Sequence, residues 1–353
     1  FLKNDVLKYF YLIIIYLLFN SLISLDPSLN MGRNLGFIRI FIFFLAFNYF
    51  FNINFFFKKV FFVWFIIISI VVIDVFFENY FGQNILGFES KIIGRNVSFF
   101  KDEHIVGGYL YGFLLLLIGF LLNNYGTKYK NYILFFSLIL VLAILLTGER
   151  SNSIKTFLSL SIFYILIFNY SIKKKIISIM IGIILLAGAI SSSDWLKLRY
   201  YKQIKAMSAG NNLYFTIYKS GYEVFKKYPI FGVGNKNYRV ETCKKFEESK
   251  KIYICTTHPH QVYIEFLSEH GFLGTTLLFF IFYKLIFSKI KMVLKSRNKL
   301  QLGALIYLVL IFLPILPSGA FFSDYSLTFF ALNISILYAT NPKTNIFLTN
   351  TNK

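Results

Sequence analysis

Residues 60–77 read VFFVWFIIISIVVIDVFF, an apolar run whose single charge, Asp74, lies near its end. An α-helix needs about 20 apolar residues to cross a bilayer, so this stretch predicts a transmembrane helix. Comparable apolar runs occur at 7–25, 35–53, 104–123, 131–147, 154–171, 176–193, 268–288, 301–317 and 322–341. The sequence therefore predicts an all-α integral membrane fold of about ten transmembrane helices.

The composition agrees with a membrane protein. Of 353 residues, 57% are hydrophobic and 15% are charged, and the mean hydropathy is +0.62. Soluble proteins are about 45–50% apolar and about 25% charged. The net charge of +21 is distributed in short clusters between the apolar runs. That distribution is typical of membrane orientation, and we expect a lipid bilayer and no nucleic acid as the partner of these charges.

The distribution of lysine and arginine predicts the topology. Segments predicted to lie inside hold 17 of the 37 basic residues, whereas short outside loops and helix ends hold seven. The remaining 13 lie in the long loop 194–259, to which the positive-inside rule does not apply. We therefore expect both termini in the cytoplasm and this loop in the periplasm.

Three regions follow from this topology. They are an N-terminal bundle of seven helices at 1–193, a large periplasmic loop with short amphipathic helices at 194–259, and a C-terminal bundle of three helices at 260–353. The chain begins with Phe1 and not with Met, which is compatible with a missing N-terminal piece.

The long loop has two notable features. Its 13 basic residues face five acidic ones, which either reflects drift or makes a surface that attracts an anionic substrate. It also contains both cysteines of the chain, Cys243 and Cys255. Outside the cytoplasm we expect this pair to form a disulfide worth roughly 2–3 kcal/mol, although a free pair is the alternative.

A polar stripe follows the loop at 258–274, which reads HPHQVYIEFLSEHGFLG. In a helix, one face would carry Gln261, Glu265, Ser268 and Glu269, and a polar stripe at a membrane helix usually faces a wet cavity. His260 precedes this helix, where the helix dipole disfavours imidazolium and leaves a neutral ring that can accept a proton. The alternative for His260 is an interfacial or capping histidine without chemistry. No further ligands accompany His258 and His260, so we expect neither a metal site nor a cofactor.

Three arginines are candidates for binding an anion. Arg150 ends an apolar run on the predicted outer side, Arg199 follows the seventh run, and Arg95 lies in an outer loop. A guanidinium offers a bidentate fork to phosphate or carboxylate. The alternative is that these arginines extend from the membrane interface towards water. The turn at 232–234, with its Gly-Val-Gly sequence, is weak evidence for a phosphate site because no strand precedes it.

Four stretches occur in an order typical of one family. They are 95–110 (RNVSFFKDEHIVGGYL), 146–151 (LTGERS), 228–234 (YPIFGVG) and 260–271 (HQVYIEFLSEHG). Together they resemble the bacterial O-antigen ligase / Wzy-type O-antigen polymerase superfamily over about residues 80–290. Two departures stand out: Gln261 replaces the usual Asn, and Asn211, Asn212 and Tyr214 occur where the family often has an arginine. Arg199 is therefore the candidate for the loop arginine.

The resemblance implies a glycosyltransferase with a GT-C-like fold in the bacterial inner membrane. Its substrate would be an undecaprenyl-pyrophosphate-linked oligosaccharide, and its acceptor a glycan in a polymerase or the lipid A core in a ligase. His260 would be the base that activates the acceptor hydroxyl. Arg150 and Arg199, with Arg95, would bind the pyrophosphate without a metal, and Glu265 would orient His260 or bind sugar hydroxyls. A transporter or flippase for lipid-linked oligosaccharides is the competing class.

Overall fold

A computed structural model describes residues 4–51, 54–192, 194–208, 213–244, 253–314 and 316–348. The regular elements in these ranges are all helices, which confirms the all-α prediction for the described residues. The chain divides into two compact units. Unit 1 comprises Phe1–Phe50, Asn212–Met292 and Ile311–Lys353, and unit 2 comprises Phe51–Asn211 and Val293–Leu310.

Each unit contains seven of the helices, with one more between them in sequence. Unit 1 has α1 (Asp5–Leu22), α2 (Pro27–Leu35), α3 (Phe37–Phe50), α10 (Leu213–Lys227), α11 (Tyr238–Lys244), α12 (Val262–Leu285) and α15 (Asp324–Ala339). Unit 2 has α4 (Asn54–Phe81), α5 (Val106–Asn124), α6 (Lys130–Leu146), α7 (Arg150–Ile167), α8 (Ile172–Ser192), α9 (Asp194–Ser208) and α14 (Lys299–Ile311). The short α13 (Ile290–Ser296) includes the sequence boundary between the units.

Each of the ten apolar runs coincides with a helix, and half of those helices have the length and hydropathy of a membrane span. Within the described residues these are Asp5–Leu22, Pro27–Phe50, Phe57–Phe81, Val106–Asn124 and Ile172–Ser192. The remaining five, among them α14 with 13 residues and α15 with 16, do not meet both criteria. The molecule is therefore a helical protein with several membrane-length apolar helices, and a count of ten spans stays a prediction.

Helix α12 organises unit 1. It packs against α1, α10 and α11. Its fully buried Phe266 meets the Phe321 ring edge-on, and its fully buried Phe282 meets the same ring at a tilt. The helix is kinked at Gly271, which has φ 63° and ψ −169°. At this kink the backbone of Ile230 approaches so closely that a Cβ on Gly271 would lie 2.4 Å from the Ile230 carbonyl carbon. A glycine is required there for both conformation and space.

Buried asparagines connect α1 and α2 with the turn at 228–235. The Asn20 side chain accepts a hydrogen bond from the backbone N–H of Asn235 (2.9 Å) and another from the Asn30 amide (3.1 Å). The Asn235 amide donates to Asn34 Oδ1 (2.6 Å). Satisfied amide networks of this kind fix one arrangement of helices where water is scarce.

In unit 2, α5 is the central helix. It is almost entirely buried and packs against α4, α6 and α7. Its contact with α14 is made backbone to backbone, because a Cβ on Gly119 would lie 2.7 Å from the Lys299 carbonyl oxygen. Small residues allow such close approach between apolar helices that gain little from the hydrophobic effect in lipid. By contrast, α8 buries none of its side chains.

The segment predicted as a large loop is mostly helical. It contains α9, α10 and α11, and α10 buries one face through Ile217, Ser220, Gly221 and Val224. Cys243, in α11, forms a disulfide with Cys255, with an S–S distance of 2.06 Å. The disulfide therefore connects α11 to the segment that leads into His260.

Candidate functional site

His260 has an unusual backbone at the start of α12. Its φ of 55° lies in the left-handed region, which non-glycine residues seldom adopt. Two hydrogen bonds hold the surrounding backbone: the Ser318 N–H donates to the His260 carbonyl (2.9 Å), and Gln261 caps α12 by accepting from the Ile264 N–H (2.8 Å). Backbone strain that is held in this way is typical of functional sites.

The imidazole of His260 lies among polar side chains, which we call the histidine cluster: Tyr214, His258, His260 and Ser318. The His258 and His260 rings are 4.0 Å apart between centroids, and the Tyr214 ring meets His260 edge-on at 6.0 Å. Burial lowers the pKa of His260, and burial together with the His260 charge lowers the pKa of His258 to about 4. Both rings are therefore neutral at pH 7, and a neutral ring can accept a proton.

Two atoms of the histidine cluster have no hydrogen-bond partner among the described residues. They are His258 Nε2 and Ser318 Oγ, and both are buried. Buried polar atoms are almost always paired in native proteins, so exceptions point to a functional use. The histidine cluster thus offers a proton acceptor and further polar atoms to a ligand with hydroxyl groups.

Glu265 makes hydrogen bonds within the fold. Its carboxylate is buried and both oxygens accept from the Phe321 N–H, at 2.9 and 3.1 Å. The 318–321 segment is thus bonded to α12 through Glu265 and to His260 through Ser318. This arrangement fits a residue that positions the His260 backbone better than one that contacts sugar hydroxyls.

The three candidate arginines come together within unit 2. Arg150, the first residue of α7, donates to the Arg199 carbonyl (3.1 Å), and Arg199 Nε donates to the Gly148 carbonyl (3.4 Å). The loop before Arg95 packs against the same turn, since a Cβ on Gly148 would lie 1.9 Å from the Gly94 carbonyl oxygen. We call Arg95, Arg150 and Arg199 the arginine group.

The electrostatics around the arginine group favour an anion. Burial lowers the pKa of His104, and the positive charges of Arg95 and Arg199 lower it further, so His104 adds no charge of its own at pH 7. Glu149 is buried, and burial raises its pKa. Its carboxylate accepts hydrogen bonds from the N–H groups of Gly107 (2.7 Å) and Gly108 (3.1 Å) at the start of α5. Arg95 Nε is buried and has no hydrogen-bond partner among the described residues.

The glycine turn at 232–234 is structural. The Val233 N–H donates to the Ser268 carbonyl (3.0 Å) and the Gly234 N–H donates to the Glu269 carbonyl (2.9 Å). A Cβ on Gly232 would lie 2.5 Å from His270 N. These N–H groups are already used by α12, so they are not available to a phosphate.

Sequence reasoning missed Tyr214, His258 and Ser318 as neighbours of His260. The sequence places His258 two residues before His260, but this spacing suggests only a metal ligand. Ser318 lies 58 residues further along the chain and belongs to no motif, so no sequence signal identifies it. Within the described residues, no group of three or more His, Cys, Asp or Glu side chains is arranged to hold a metal ion.

The helices and these two polar groups define a class: a multi-helix protein with membrane-length apolar helices, a neutral histidine and a set of arginines. Residues 135–279 match the profile of a family described as O-antigen ligase. The matched segment extends from α6 into α12 and contains Arg150, Arg199 and His260. It confirms the resemblance to the O-antigen ligase / Wzy-type polymerase superfamily. No curated protein matches the chain.

Proposed function

We propose that this protein is a metal-independent glycosyltransferase that polymerises O-antigen or another surface polysaccharide. It transfers an undecaprenyl-pyrophosphate-linked glycan to the hydroxyl of an acceptor sugar at the periplasmic face of the inner membrane. The chain would cross the membrane about ten times, with both termini in the cytoplasm and a GT-C-like arrangement. The observation that carries the proposal is the neutral, conformationally fixed His260 within the segment that matches the family.

His260 is the general base in this proposal. Its ring nitrogen takes the proton of the acceptor hydroxyl as the oxygen attacks the anomeric carbon of the donor glycan. The bond between that carbon and the pyrophosphate oxygen breaks, and undecaprenyl pyrophosphate leaves with the bonding electrons. A positioned base of this kind contributes typically about 10²–10⁴-fold to a rate.

The arginine group stabilises the leaving group in this proposal. Negative charge increases on the pyrophosphate as its bond to the sugar breaks, and fixed cations lower the energy of that state. Arg150 and Arg199 are held by backbone carbonyls before any ligand binds, so little ordering is needed when the pyrophosphate arrives. Arg95 adds a third cation in the same unit.

Two alternatives remain open. A ligase would use the same residues but transfer the glycan to the lipid A core. A flippase for lipid-linked oligosaccharides would use ionisable groups along its spans. The buried acids of α4 argue against the flippase, because Glu78 accepts from the backbone N–H groups of Val97 (2.8 Å) and Ser98 (2.7 Å) and so fixes a loop.

The test is a surface-polysaccharide gel of the host with the gene deleted and then complemented. We expect wild type to restore the long ladder and His260→Ala to leave single repeats on the core, which is the phenotype of a missing polymerase. Lys226→Ala is the matched control, since this exposed side chain pairs with Glu223 and lies over the Tyr222 ring, both on its own helix. Both variants should reach the membrane fraction at the wild-type level.

Other outcomes separate the alternatives. Loss of all attached glycan with accumulation of lipid-linked polymer would identify a ligase. A normal ladder with His260→Ala would remove the proposed base. An unchanged profile on deletion would favour the flippase or a different polysaccharide.

A further inference from the structure

Four cationic side chains of unit 1 belong to none of the groups described so far. Arg33 in α2 and Arg39 in α3 share one carboxylate: Arg33 Nη1 is 3.2 Å from Asp324 Oδ2 and Arg39 Nη2 is 2.7 Å from Asp324 Oδ1. Lys236 and Arg239, from the segment after the glycine turn, complete the set, which we call the cation cluster. Its members come from three separate parts of the sequence.

Lys236 shows that these charges act on one another. Burial lowers its pKa, the charges of Arg33 and Arg239 lower it further, and Asp324 acts in the opposite direction. The Lys236 backbone has a φ of 65°. Two residues further on, the Tyr238 N–H donates to the carboxylate of the buried Glu269 (3.3 Å), which connects this segment to α12.

The cation cluster is not neutralised by the described residues. The acidic groups that act on it are Asp324 and Glu269, against four cations. Neither Lys236 Nζ nor the Arg239 guanidinium has a carboxylate partner in the part of the chain that the structure describes. Like charges held close together repel, and a bound anion would relieve that repulsion.

The cation cluster is accessible and lies at the end of apolar helices. The side chains of Arg39 and Asp324 are 70% and 67% exposed. Arg33 and Arg39 belong to the stretch Pro27–Phe50, which is long and apolar enough to cross a membrane. Asp324 is the first residue of the 16-residue α15. The predicted span at 35–53 begins beside Arg33 and Arg39, and this predicted topology would bring the cation cluster close to lipid headgroups.

We propose that Arg33, Arg39, Lys236 and Arg239 bind the phosphate group of a membrane lipid. Guanidinium and ammonium groups are the usual partners of phosphate, and two arginines with a lysine provide both forked and single contacts. The site shares no residue with the arginine group, and its occupation does not depend on the glycosyl transfer proposed above. The lipid is either an anionic phospholipid or a polyprenyl phosphate.

The test measures lipid binding to the full chain, purified in neutral detergent, by native mass spectrometry. The probes are dioleoylphosphatidylglycerol and undecaprenyl phosphate, with dioleoylglycerol as the lipid without phosphate. We expect the Arg39→Gln/Arg239→Gln variant to bind at least one phosphate probe about tenfold more weakly or worse, because it loses charge-assisted hydrogen bonds. Lys226→Gln, which removes an exposed lysine of the same unit, should bind as wild type does.

Asp324→Asn provides the opposite change. It removes the carboxylate that competes for Arg33 and Arg39 at an exposed position, so binding of the phosphate probes should tighten. This variant also keeps the test decisive if the double variant fails to fold, because unchanged or weaker binding by Asp324→Asn would then overturn the proposal.

The two probes separate the sources of the phosphate. Weaker binding of both probes to the double variant means a site for phospholipid headgroups, and weaker binding of undecaprenyl phosphate alone means a site for the polyprenyl carrier. Equal affinity of the folded double variant and wild type for both probes would refute the site. An equal loss with Lys226→Gln would also refute it, since the effect would then be unspecific electrostatics.

Discussion

The left-handed backbone of His260 determines where its ring can lie. Such a conformation costs an ordinary residue about 1–2 kcal/mol, so it persists only when neighbours hold it. Two hydrogen bonds stabilise this backbone: the Ser318 N–H donates to the His260 carbonyl, and the Gln261 side chain caps α12. The backbone that carries the ring is thereby fixed before substrate binds, which suits the general base proposed here.

The lowered pKa of His260 predicts the pH dependence of glycan transfer. A base must be neutral, and burial moves the pKa of His260 below its ordinary value of about 6.5. The rate should therefore fall in acidic solution as the ring becomes protonated, with the midpoint of that fall below pH 6.5. The measurement is the initial rate of transfer from a polyprenyl-pyrophosphate glycan as a function of pH. An acid limb centred at or above pH 6.5 would contradict the burial of a functional ring.

At this scale the sequence predicts the residues that belong to motifs. His260 and Arg150 are recognisable because the family segments around them are compact in sequence. Ser318 and Lys236 are not, since their importance arises from neighbours far away in the chain. The proposal that Glu265 positions His260 also needed the structure, because it rests on the hydrogen bonds from the Phe321 N–H.

Among the elements, α12 depends on the kink at Gly271. The kink lets the glycine turn dock on the helix, where Phe272 N donates to the Pro229 carbonyl (2.7 Å) and Leu273 N donates to the Ile230 carbonyl (3.1 Å). These bonds use N–H groups that would otherwise be unpaired after the break in the helix. The kink and the turn therefore form one structural unit.

Gly271→Ala should disrupt this unit. A Cβ there would lie 2.4 Å from the Ile230 carbonyl group, and a φ of 63° with a ψ of −169° is essentially confined to glycine. We expect a destabilisation of about 1–3 kcal/mol, seen as a lower melting temperature of the detergent-purified protein, together with reduced transfer. Gly32→Ala is the control: it lies inside α2 with open space around it, and it should melt at or slightly above the wild-type temperature. Equal melting of the two variants would show that the turn adapts.

The apolar runs predict the positions of the helices better than they predict the residues at which the helices end. Each run overlaps a helix, because a long stretch of apolar residues favours helix both in a membrane and in a protein core. The run at 301–317 contains Pro314 and Pro317, and α14 ends before them at Ile311. The run at 35–53 and the polar stretch before it form α2 and α3, which are separated only at Gly36. The sequence predicts short amphipathic helices within 194–259 but not their bounds. Those bounds depend on packing, as the buried face of α10 shows.

For the whole molecule, the testable prediction is the topology. Single cysteines should be placed at Tyr125, Tyr170 and Trp195, all exposed, in a background with Cys243 and Cys255 replaced by serine. The positive-inside distribution predicts that a membrane-impermeant maleimide added to intact spheroplasts labels only the cysteine at Trp195. Labelling of the cysteines at Tyr125 and Tyr170, with protection of the one at Trp195, would reverse the membrane orientation and remove the proposed periplasmic site.

The division into two units could not be predicted from the sequence. Unit 1 is assembled from three separate segments and unit 2 from two, with 311–353 returning to pack with the N-terminal helices. The sequence analysis instead divided the chain at 193 and 259, where hydropathy and charge change. Local composition carries no information about which distant helices pack together.

The asparagine network has a consequence for biosynthesis. Asn20 and Asn235, which share a hydrogen bond, are separated by 215 residues. At a translation rate of about 5–20 residues per second, α1 and α2 wait roughly 10–40 s in the membrane before their partner leaves the ribosome. During that interval the amides of Asn20, Asn30 and Asn34 can bond to one another and to groups of α1 such as the Leu17 carbonyl, but not to Asn235. The helix pair of α1 and α2 can therefore form early, whereas its connection to the turn at 228–235 forms only after the later half of the chain has been made.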